Sequence, residues 1–299
     1  MNLNRKATWI AALLLLALFV GSVASRQRIE HLRGQQATLE EVLYLPSGKT
    51  VKRLSLGYSS LLADIYWTRA VQYFGAHHIK HAERYDLLAP LLDITTDLDP
   101  HLIVAYENGS IFLSQRQPDG AGEPDKAVAL VEKGIRENPT YWRLYFTLGF
   151  IHYVDRRDYK AAQQAFQKGS EVPGALPWMK VMAARMAEKA DEPSTAGYLW
   201  KTIYDTTTDK DIKQTAVKHL RSLRAQVEIE ELERRAQAYE QRFGKLPESW
   251  PDLIRAGFLG GVPTDPDGTP YKLRLDGTVQ VQDPTKFPYI ETRPLSQIK

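Results

Sequence analysis

The sequence predicts a mainly α protein: an α-solenoid of stacked helix pairs, with an N-terminal transmembrane helix and a small C-terminal α/β module. Three observations predict this fold class. Small and aromatic residues recur at fixed offsets between residues 57 and 208, which is typical of repeated helix pairs. A single helical pattern then continues through residues 209–243. An uncharged apolar run occupies residues 7–25, and a turn-rich composition begins after Gly244.

The composition is that of a folded protein and excludes several classes of function. The chain has 299 residues, of which 43% are hydrophobic and 25% are charged. Its 39 basic residues nearly balance its 36 acidic ones, so no global charge favours nucleic acid as a partner. Because there is no cysteine, disulfides, zinc–thiolate sites, iron–sulfur clusters and thiol nucleophiles are excluded.

The apolar run at residues 7–25 is bracketed by Lys6 and Arg26. At 1.5 Å per residue its 19 residues span about 28 Å, close to the hydrocarbon thickness of a bilayer. The run therefore predicts an uncleaved membrane anchor within residues 1–25. The small residues 22–24 leave a cleaved signal peptide as the alternative. Since both segments export the chain that follows, we expect a single-pass protein with its body on the far side of the membrane, and a cytoplasmic body is the alternative.

A stalk and a short hairpin are expected in residues 26–56. Residues 26–40 are polar, and two strand-like pieces, residues 41–45 and 50–54, flank the turn signal Pro46-Ser47-Gly48-Lys49. Such a turn between two β-prone pieces favours a hairpin.

Residues 57–208 show a recurring triplet in which a small residue is followed by a large one after four positions and by Gly or Ile after three more. This spacing occurs in three places: Ala127, Val131 and Gly134; Ala162, Phe166 and Gly169; Ala196, Trp200 and Ile203. A weaker earlier unit has Leu88, Leu92 and Thr95. Small residues at a helix crossing let two backbones approach, and a large side chain from the facing helix fills the space beside them. Each triplet therefore predicts a buried helix crossing.

These offsets resemble the tetratricopeptide repeat (TPR), a helix–turn–helix unit of 34 residues. The upstream helices carry matching marks, among them Trp67 with Ala70, and Leu148 with Gly149. The resemblance covers residues 57–208 and implies four degenerate units, with residues 115–123 as an insertion. An irregular helical bundle is the alternative.

The pattern over residues 209–243 predicts the longest helix, about 50 Å if unbroken. Its apolar positions shift phase near Glu228, which predicts either a bend there or two halves that pack on different neighbours. We expect the first half to cap the repeat array.

Residues 244–299 predict a small α/β module. Strand-like residues 272–275 and 278–281 flank Asp276-Gly277, a hairpin turn signal. The run from Gly244 through Gly257-Phe258-Leu259 to Pro270-Tyr271 is similar to a segment of type II secretion pseudopilins, over about 35 residues.

The sequence shows no motif that favours catalysis. His77 and His81 would share one face if their segment is helical, which makes them a workable metal pair, but a His-rich surface turn is the favoured interpretation. We therefore expect no catalytic residue, no cofactor and no metal site.

Aromatic residues are concentrated in the repeat region, and most of them are expected in its core. The rest would line a groove that binds protein. The groove candidates are Tyr73, Tyr106, Tyr141, Trp142 and Tyr145.

Taken whole, the chain resembles the membrane-anchored TPR proteins of bacteria. The resemblance implies a non-catalytic scaffold that binds other proteins and helps to assemble an envelope complex. A permanent accessory subunit of a transporter, secretion, pilus or respiratory complex is the second hypothesis. A metal-dependent envelope enzyme is the third and weakest.

Overall fold

The computed structural model describes residues 47–290, which form two compact units. The first unit contains the described residues up to 105 together with 117–121, and the second contains 106–116 and 122–290. Eleven α-helices and one two-stranded sheet make up most of the regular structure of these residues. The described part of the chain is therefore mainly helical with a small β component, as the sequence predicts.

The first unit consists of three helices. They are α1 (Gly48–Leu54), α2 (Ser59–Ile79) and α3 (Leu88–Leu98). The last of these packs against both of the others, and its buried Ile94 and Leu98 form a core with Ala63 of α2.

The hairpin prediction is wrong for its second strand, because residues 50–54 lie in α1. Ser47 caps this helix: its Oγ accepts a hydrogen bond from the Thr50 backbone N–H at 3.3 Å. A serine cap satisfies a free N–H of the first turn, which favours helix at a position where the local pattern suggested a strand. The first predicted strand, residues 41–45, lies outside the described residues.

Tertiary packing holds α1 against α3. A Cβ added to Gly48 would lie 2.5 Å from the Asp97 Cβ, so only glycine allows this approach. The Lys52 ammonium donates a hydrogen bond of 3.0 Å to the Asp97 backbone carbonyl. Both contacts join residues about 50 positions apart, and a window of local sequence contains neither of them.

Helix α4 (Ile103–Ser114) runs from the first unit into the second. The second unit continues with five helices in sequence, α5 (Pro124–Glu137), α6 (Trp142–Phe150), α7 (Tyr159–Ser170), α8 (Trp178–Lys189) and α9 (Pro193–Thr206). From α5 onward each helix packs against the next one along the chain. Neighbours in sequence are thus neighbours in space, as in arrays of helix pairs.

The helices of the second unit approach one another most closely at glycines. An added Cβ would lie 2.6 to 2.7 Å from an aromatic residue of another helix at three positions: Gly134 beside Tyr106, Gly149 beside Phe166 and Gly169 beside Tyr145. Each glycine is buried. The expected arrangement, a small residue with a large side chain from a facing helix, is confirmed at these crossings.

All members of the three predicted triplets are buried. The weaker repeat, which lies in the first compact unit of the structure, is buried as well: Leu88, Leu92 and Thr95 are 0% exposed. The triplet spacing therefore identified the inward face of four helices.

Helix α10 (Lys210–Phe243) is the longest described helix. The Asp209 carboxylate caps its first turn, and Gly244, at φ 71°, ends it in the left-handed region that glycine tolerates. Its first half packs on α9 through Ala216, and its second half packs on the C-terminal module through Leu232. The phase shift predicts either a bend or two halves with different neighbours. The second explanation is confirmed, because the two halves belong to different cores.

The C-terminal module contains α11 (Trp250–Arg255), strands β1 (Lys272–Leu273) and β2 (Val279–Gln280), and a 3-10 turn at Pro284–Lys286. The strands pair antiparallel around the predicted Asp276-Gly277 turn but are shorter than expected. Buried side chains of the module form one core with α10: Trp250, Leu253, Tyr271, Val279, Val281 and Phe287.

The predicted membrane helix at residues 7–25 lies outside the described residues. Within residues 47–290, no helix combines the length and apolarity that crossing a bilayer requires.

Candidate functional site

A cleft of about 530 Å³ lies in the second unit between α5, α6 and α7. Its lining residues come from these helices and from the turn that follows α6: Glu132, Ile135, Arg136, Tyr145, Leu148, His152, Ala161, Gln164, Ala165 and Lys168. The cleft therefore belongs to the region of recurring triplets.

A change in helix type helps to shape one wall of the cleft. Helix α6 passes directly into a π-helix, Ile151–Arg156, which ends at Arg157 with φ 54°. The backbone N–H of Asp158 donates a hydrogen bond of 2.9 Å to the His152 carbonyl and closes this turn. A π-turn is wider than an α-turn, so it changes which side chains face a neighbouring helix, and such turns are frequent at functional sites. His152 lies in this turn and lines the cleft.

His152 is the least conventional residue of the cleft. It is 9% exposed, and its Nδ1 is buried without a hydrogen-bond partner among the described residues. Burial lowers the pKa of His152, and the nearby Arg156 lowers it further, while Asp158 and Glu132 act in the opposite direction. The imidazole is therefore neutral at pH 7, and its buried nitrogen is a polar group whose desolvation is not compensated.

The cleft carries more positive than negative charge. Arg136 and Lys168 contribute two cations against the single carboxylate of Glu132. Ile135 and Leu148 add apolar surface between them. An apolar floor with a basic rim suits a ligand that carries both an acidic and an apolar group. The residues that line the cleft include no serine, threonine or cysteine, and their one hydroxyl is that of Tyr145.

Of the five predicted groove residues, Tyr145 lines the cleft. Its ring packs beside Gly169, and its hydroxyl donates a hydrogen bond of 3.1 Å to the Pro139 carbonyl. This bond orients the ring against the wall formed by α7. Tyr145 combines rigidity, apolar area and a polar end, as expected of an anchor for a protein ligand.

Tyr141 and Trp142 are half-buried but do not line the cleft. The Tyr141 hydroxyl is bonded to the carboxylate of Glu107, and burial raises the pKa of both groups. Trp142 packs against the core around Phe166. These contacts connect the start of α6 to its neighbours.

Tyr106 is wrong as a groove candidate, because it is 0% exposed. Its ring fills the space beside Gly134, so the repeat packing itself requires a large side chain there. Tyr73 lies in the first unit, on α2. Its hydroxyl accepts a hydrogen bond of 3.3 Å from the Leu87 backbone N–H, and its ring lies 3.9 Å from that of His77.

The histidine pair does not have the geometry that a helical segment would give it. His77 lies in α2, and its Nδ1 is 2.8 Å from the Tyr73 carbonyl oxygen. His81 follows the end of the helix and has φ 50°, so the two residues do not share a helical face. Among residues 47–290 no group of three or more potential ligands is arranged to hold a metal ion.

A second polar cluster is buried where α10 meets the repeat region. The His219 ring is stacked between Trp200, at 4.0 Å between centroids, and Tyr289, at 3.5 Å. One oxygen of Glu188 accepts a hydrogen bond from Trp200 Nε1 and lies 2.8 Å from His219 Nδ1. Because the His219 side chain is only 3% exposed, we interpret this cluster as structural.

No model of a known protein family matches the chain, and a search of curated proteins found no match.

His152, Arg136 and Lys168 line the cleft but were not predicted from the sequence. His152 directly follows the mostly apolar residues 144–151, and this position could have indicated a buried histidine. A buried histidine needs a hydrogen-bond partner, so it is a candidate for a site residue. The two basic residues gave no such signal, because each occupies an ordinary position near the end of an amphipathic helix.

Proposed function

We propose that the protein is a non-catalytic, membrane-anchored scaffold whose TPR-like helix pairs bind a segment of another protein. The observation that carries the proposal is the basic, half-apolar cleft between α5, α6 and α7. Stacked helix pairs commonly bind proteins through surfaces formed by successive repeats.

The triplet spacing supports the TPR-like interpretation of residues 57–208. The same offsets recur on α5, α7 and α9, and at each of them the small residue and the residues that follow are buried. From α5 onward, consecutive helices also pack in order along the chain. An irregular helical bundle would not be expected to bury residues at the same offsets on three helices.

The chemistry of the cleft favours an acidic partner segment with at least one apolar side chain. Arg136 and Lys168 attract carboxylates, and Tyr145 offers a rigid aromatic face beside Leu148. A volume of about 530 Å³ is in the usual range for binding sites and accommodates a few side chains rather than a folded domain.

The remaining parts of the proposal rest on the sequence. The uncharged run at residues 7–25 would anchor the chain in a bacterial inner membrane, with the repeats on the periplasmic side. The pseudopilin-like segment after Gly244 packs on α10 and would extend the scaffold. Such a protein would help to assemble or stabilise an envelope complex. If its partners never leave, it is a permanent accessory subunit.

Purification of the full-length chain from gently solubilised native membranes, followed by mass spectrometry, tests the proposal. We expect one or a few proteins at a fixed ratio to the chain. The double variant Arg136→Glu/Lys168→Glu reverses the basic rim of the cleft and should lower the recovery of these proteins by at least about tenfold, which corresponds to 1.4 kcal/mol of binding free energy.

The matched control is Lys180→Glu/Arg185→Glu, which makes the same charge change at exposed positions of α8 outside the cleft. It should retain the partners. Equal loss in both double variants would show a general charge effect, and retention in both would exclude the cleft as the binding site.

A further inference from the structure

An exposed apolar corner lies in the first unit, where α1 turns into α2. Five large apolar side chains within twelve residues are exposed by 46 to 87%: Leu54, Leu56, Tyr58, Leu61 and Ile65. We call this set the α1–α2 corner. Single exposed apolar residues are common, but a contiguous group on a protein surface marks an interaction site.

Leu56 occupies an unfavourable environment in two respects. Its side chain is 87% exposed, and its backbone has φ 49°, in the left-handed region that leucine rarely adopts. Hydrogen bonds fix the turn around it, because Ser55 Oγ donates to the Lys52 carbonyl at 2.7 Å and the Tyr58 N–H donates to the Ser55 carbonyl at 2.8 Å. The fold thus holds an apolar side chain in water on a rigid turn. Strained backbone of this kind is concentrated at functional positions.

The apolar surface is short and lies at the start of α2. Tyr58, Leu61 and Ile65 are spaced by three and four residues, so they share one face of the helix. The next positions on that face are Thr68 and Gln72, both polar. At 1.5 Å per residue the apolar face extends for about 10 Å along the helix axis.

Three exposed basic residues lie beside the corner: Lys49, Lys52 and Arg53. The acidic residues at the corner are Asp64, exposed on α2, and Asp97 of α3, which packs against Gly48. A basic, apolar surface of this kind is complementary to anionic lipid, since each Lys or Arg near such a surface contributes about 1 kcal/mol of attraction. A protein partner that covered α2 would be expected to bury apolar side chains along more of the helix than its first two turns.

We propose that the α1–α2 corner inserts into the headgroup region of an anionic bilayer and orients the first unit on the membrane surface. The proposal rests on the membrane anchor of the proposed function, because the apolar run at residues 7–25 precedes the corner in the chain and would keep it near the bilayer. It goes beyond that function because it assigns a second, peripheral contact to a folded part of the protein. In this proposal the α1–α2 corner contacts lipid and does not contact a partner protein.

The absence of cysteine allows a direct test with single-cysteine variants of the full-length chain. Leu56→Cys places a polarity-sensitive fluorophore at the corner. Ile79→Cys is the matched control, because Ile79 is an aliphatic residue, 80% exposed, at the opposite end of α2. Both labelled proteins are reconstituted into vesicles with roughly 30 mol% phosphatidylglycerol, and into neutral vesicles. Nitroxides on the acyl chains and aqueous iodide then serve as quenchers.

We expect the label at position 56 to be quenched by the acyl-chain nitroxides about threefold more strongly than the label at position 79, and to be protected from iodide. The double variant Lys49→Glu/Arg53→Glu should lower this difference in anionic vesicles. Lys52 is left unchanged because its ammonium holds α1 against α3.

Two results would overturn the proposal. Equal access of iodide to both positions would show that the corner stays in water. A blue-shifted label at position 56 without nitroxide quenching would show that protein, either residues 7–25 of the chain itself or a second copy, covers the corner. Flotation of the chain with vesicles in about 1 M salt, which screens surface charge, reports the anchor separately. Loss of flotation would contradict the anchor of the proposed function, whereas quenching at position 56 decides the corner in either case.

Discussion

Helices α5 to α9 of the repeat region and the C-terminal module, both in the second unit, are held together by different kinds of contact. In the repeat region, helices meet at buried glycines, and aromatic rings fill the space beside them, as at Gly149 and Phe166. In the C-terminal module, side chains bind backbone groups instead. Trp250 Nε1 donates a hydrogen bond of 2.8 Å to the Tyr271 carbonyl, and Glu233 of α10 accepts one of 2.9 Å from the Val279 N–H.

The difference follows from the amount of regular structure in each region. Helices satisfy their own backbone groups, so the repeat region has only to solve a packing problem. The module has two strands of two residues each, so many of its backbone N–H and C=O groups need partners outside regular structure, both from side chains and from other backbone groups. The first region should therefore be sensitive to volume and the second to polarity and charge.

The largest expected effect is overpacking at a helix crossing. Gly149→Leu places a side chain where the Phe166 ring already lies 2.7 Å from an added Cβ, so the two helices must separate. We expect a loss of about 3 kcal/mol in the free energy of unfolding, measured by urea denaturation.

Gly197→Leu is the control for this prediction. Gly197 lies inside α9, and nothing approaches an added Cβ there within 4 Å. This change should be neutral or stabilising by up to about 1 kcal/mol, because leucine favours helix over glycine. Similar unfolding curves for the two variants would contradict the assignment of Gly149 to a close crossing.

An intermediate effect is expected at the junction between the two regions. Glu188→Ala leaves Trp200 Nε1 and His219 Nδ1 without their shared acceptor in a buried site. We expect a loss of about 2 kcal/mol in the free energy of unfolding, followed through tryptophan fluorescence.

Glu188→Gln separates polarity from charge at this junction. The amide oxygen still accepts a hydrogen bond, so the loss in the free energy of unfolding should be about half of that for Glu188→Ala. If Glu188→Ala costs nothing, the polar cluster contributes no stability and only the apolar packing through Ala216 joins α10 to the repeat region.

The smallest effect is a pH dependence within the C-terminal module. Burial raises the pKa of Glu233 above its ordinary value of 4.5, and Glu230 and Asp276 raise it further, while the Val279 N–H lowers it. The folded state thus holds this proton more tightly than the unfolded state. The contribution of protonated Glu233 to the free energy of unfolding is therefore complete below pH 4.5 and is lost as the pH rises through the folded-state pKa of Glu233.

Glu233→Gln removes this titration and keeps an acceptor for Val279. Its free energy of unfolding, relative to the unaltered protein, should increase between about pH 5 and pH 8. Glu240→Gln, at an exposed position of the same helix, is the control and should show no such trend. A parallel pH dependence of all three proteins would exclude Glu233 as the titrating group.

Local sequence was sufficient for the helical part of the fold. The triplets predicted which faces of α5, α7 and α9 are buried, because helical periodicity places residues four and three apart on one side. The predicted range of residues 209–243 agrees with α10, whose ends Asp209 and Gly244 cap through interactions between neighbouring residues only.

The candidate site was less accessible to such reasoning. Of the groove candidates, Tyr145 lines the cleft and Tyr106 is fully buried, although an aromatic residue at a helix crossing has the same local pattern as one in a groove. The π-turn that brings His152 to the cleft has no distinguishing pattern in the sequence.

By itself the sequence determined the helix positions, their buried faces, the ends of the long helix and the Asp276-Gly277 turn. These features depend on interactions within a few residues. The tertiary structure decided that residues 50–54 form a helix, that His219 stacks between Trp200 and Tyr289, and that α5, α6 and α7 enclose a basic cleft. The physical reason is distance along the chain. Each of these outcomes depends on contacts between different elements of the chain, as between Gly48 and Asp97 or His219 and Tyr289, and a local pattern cannot encode their geometry.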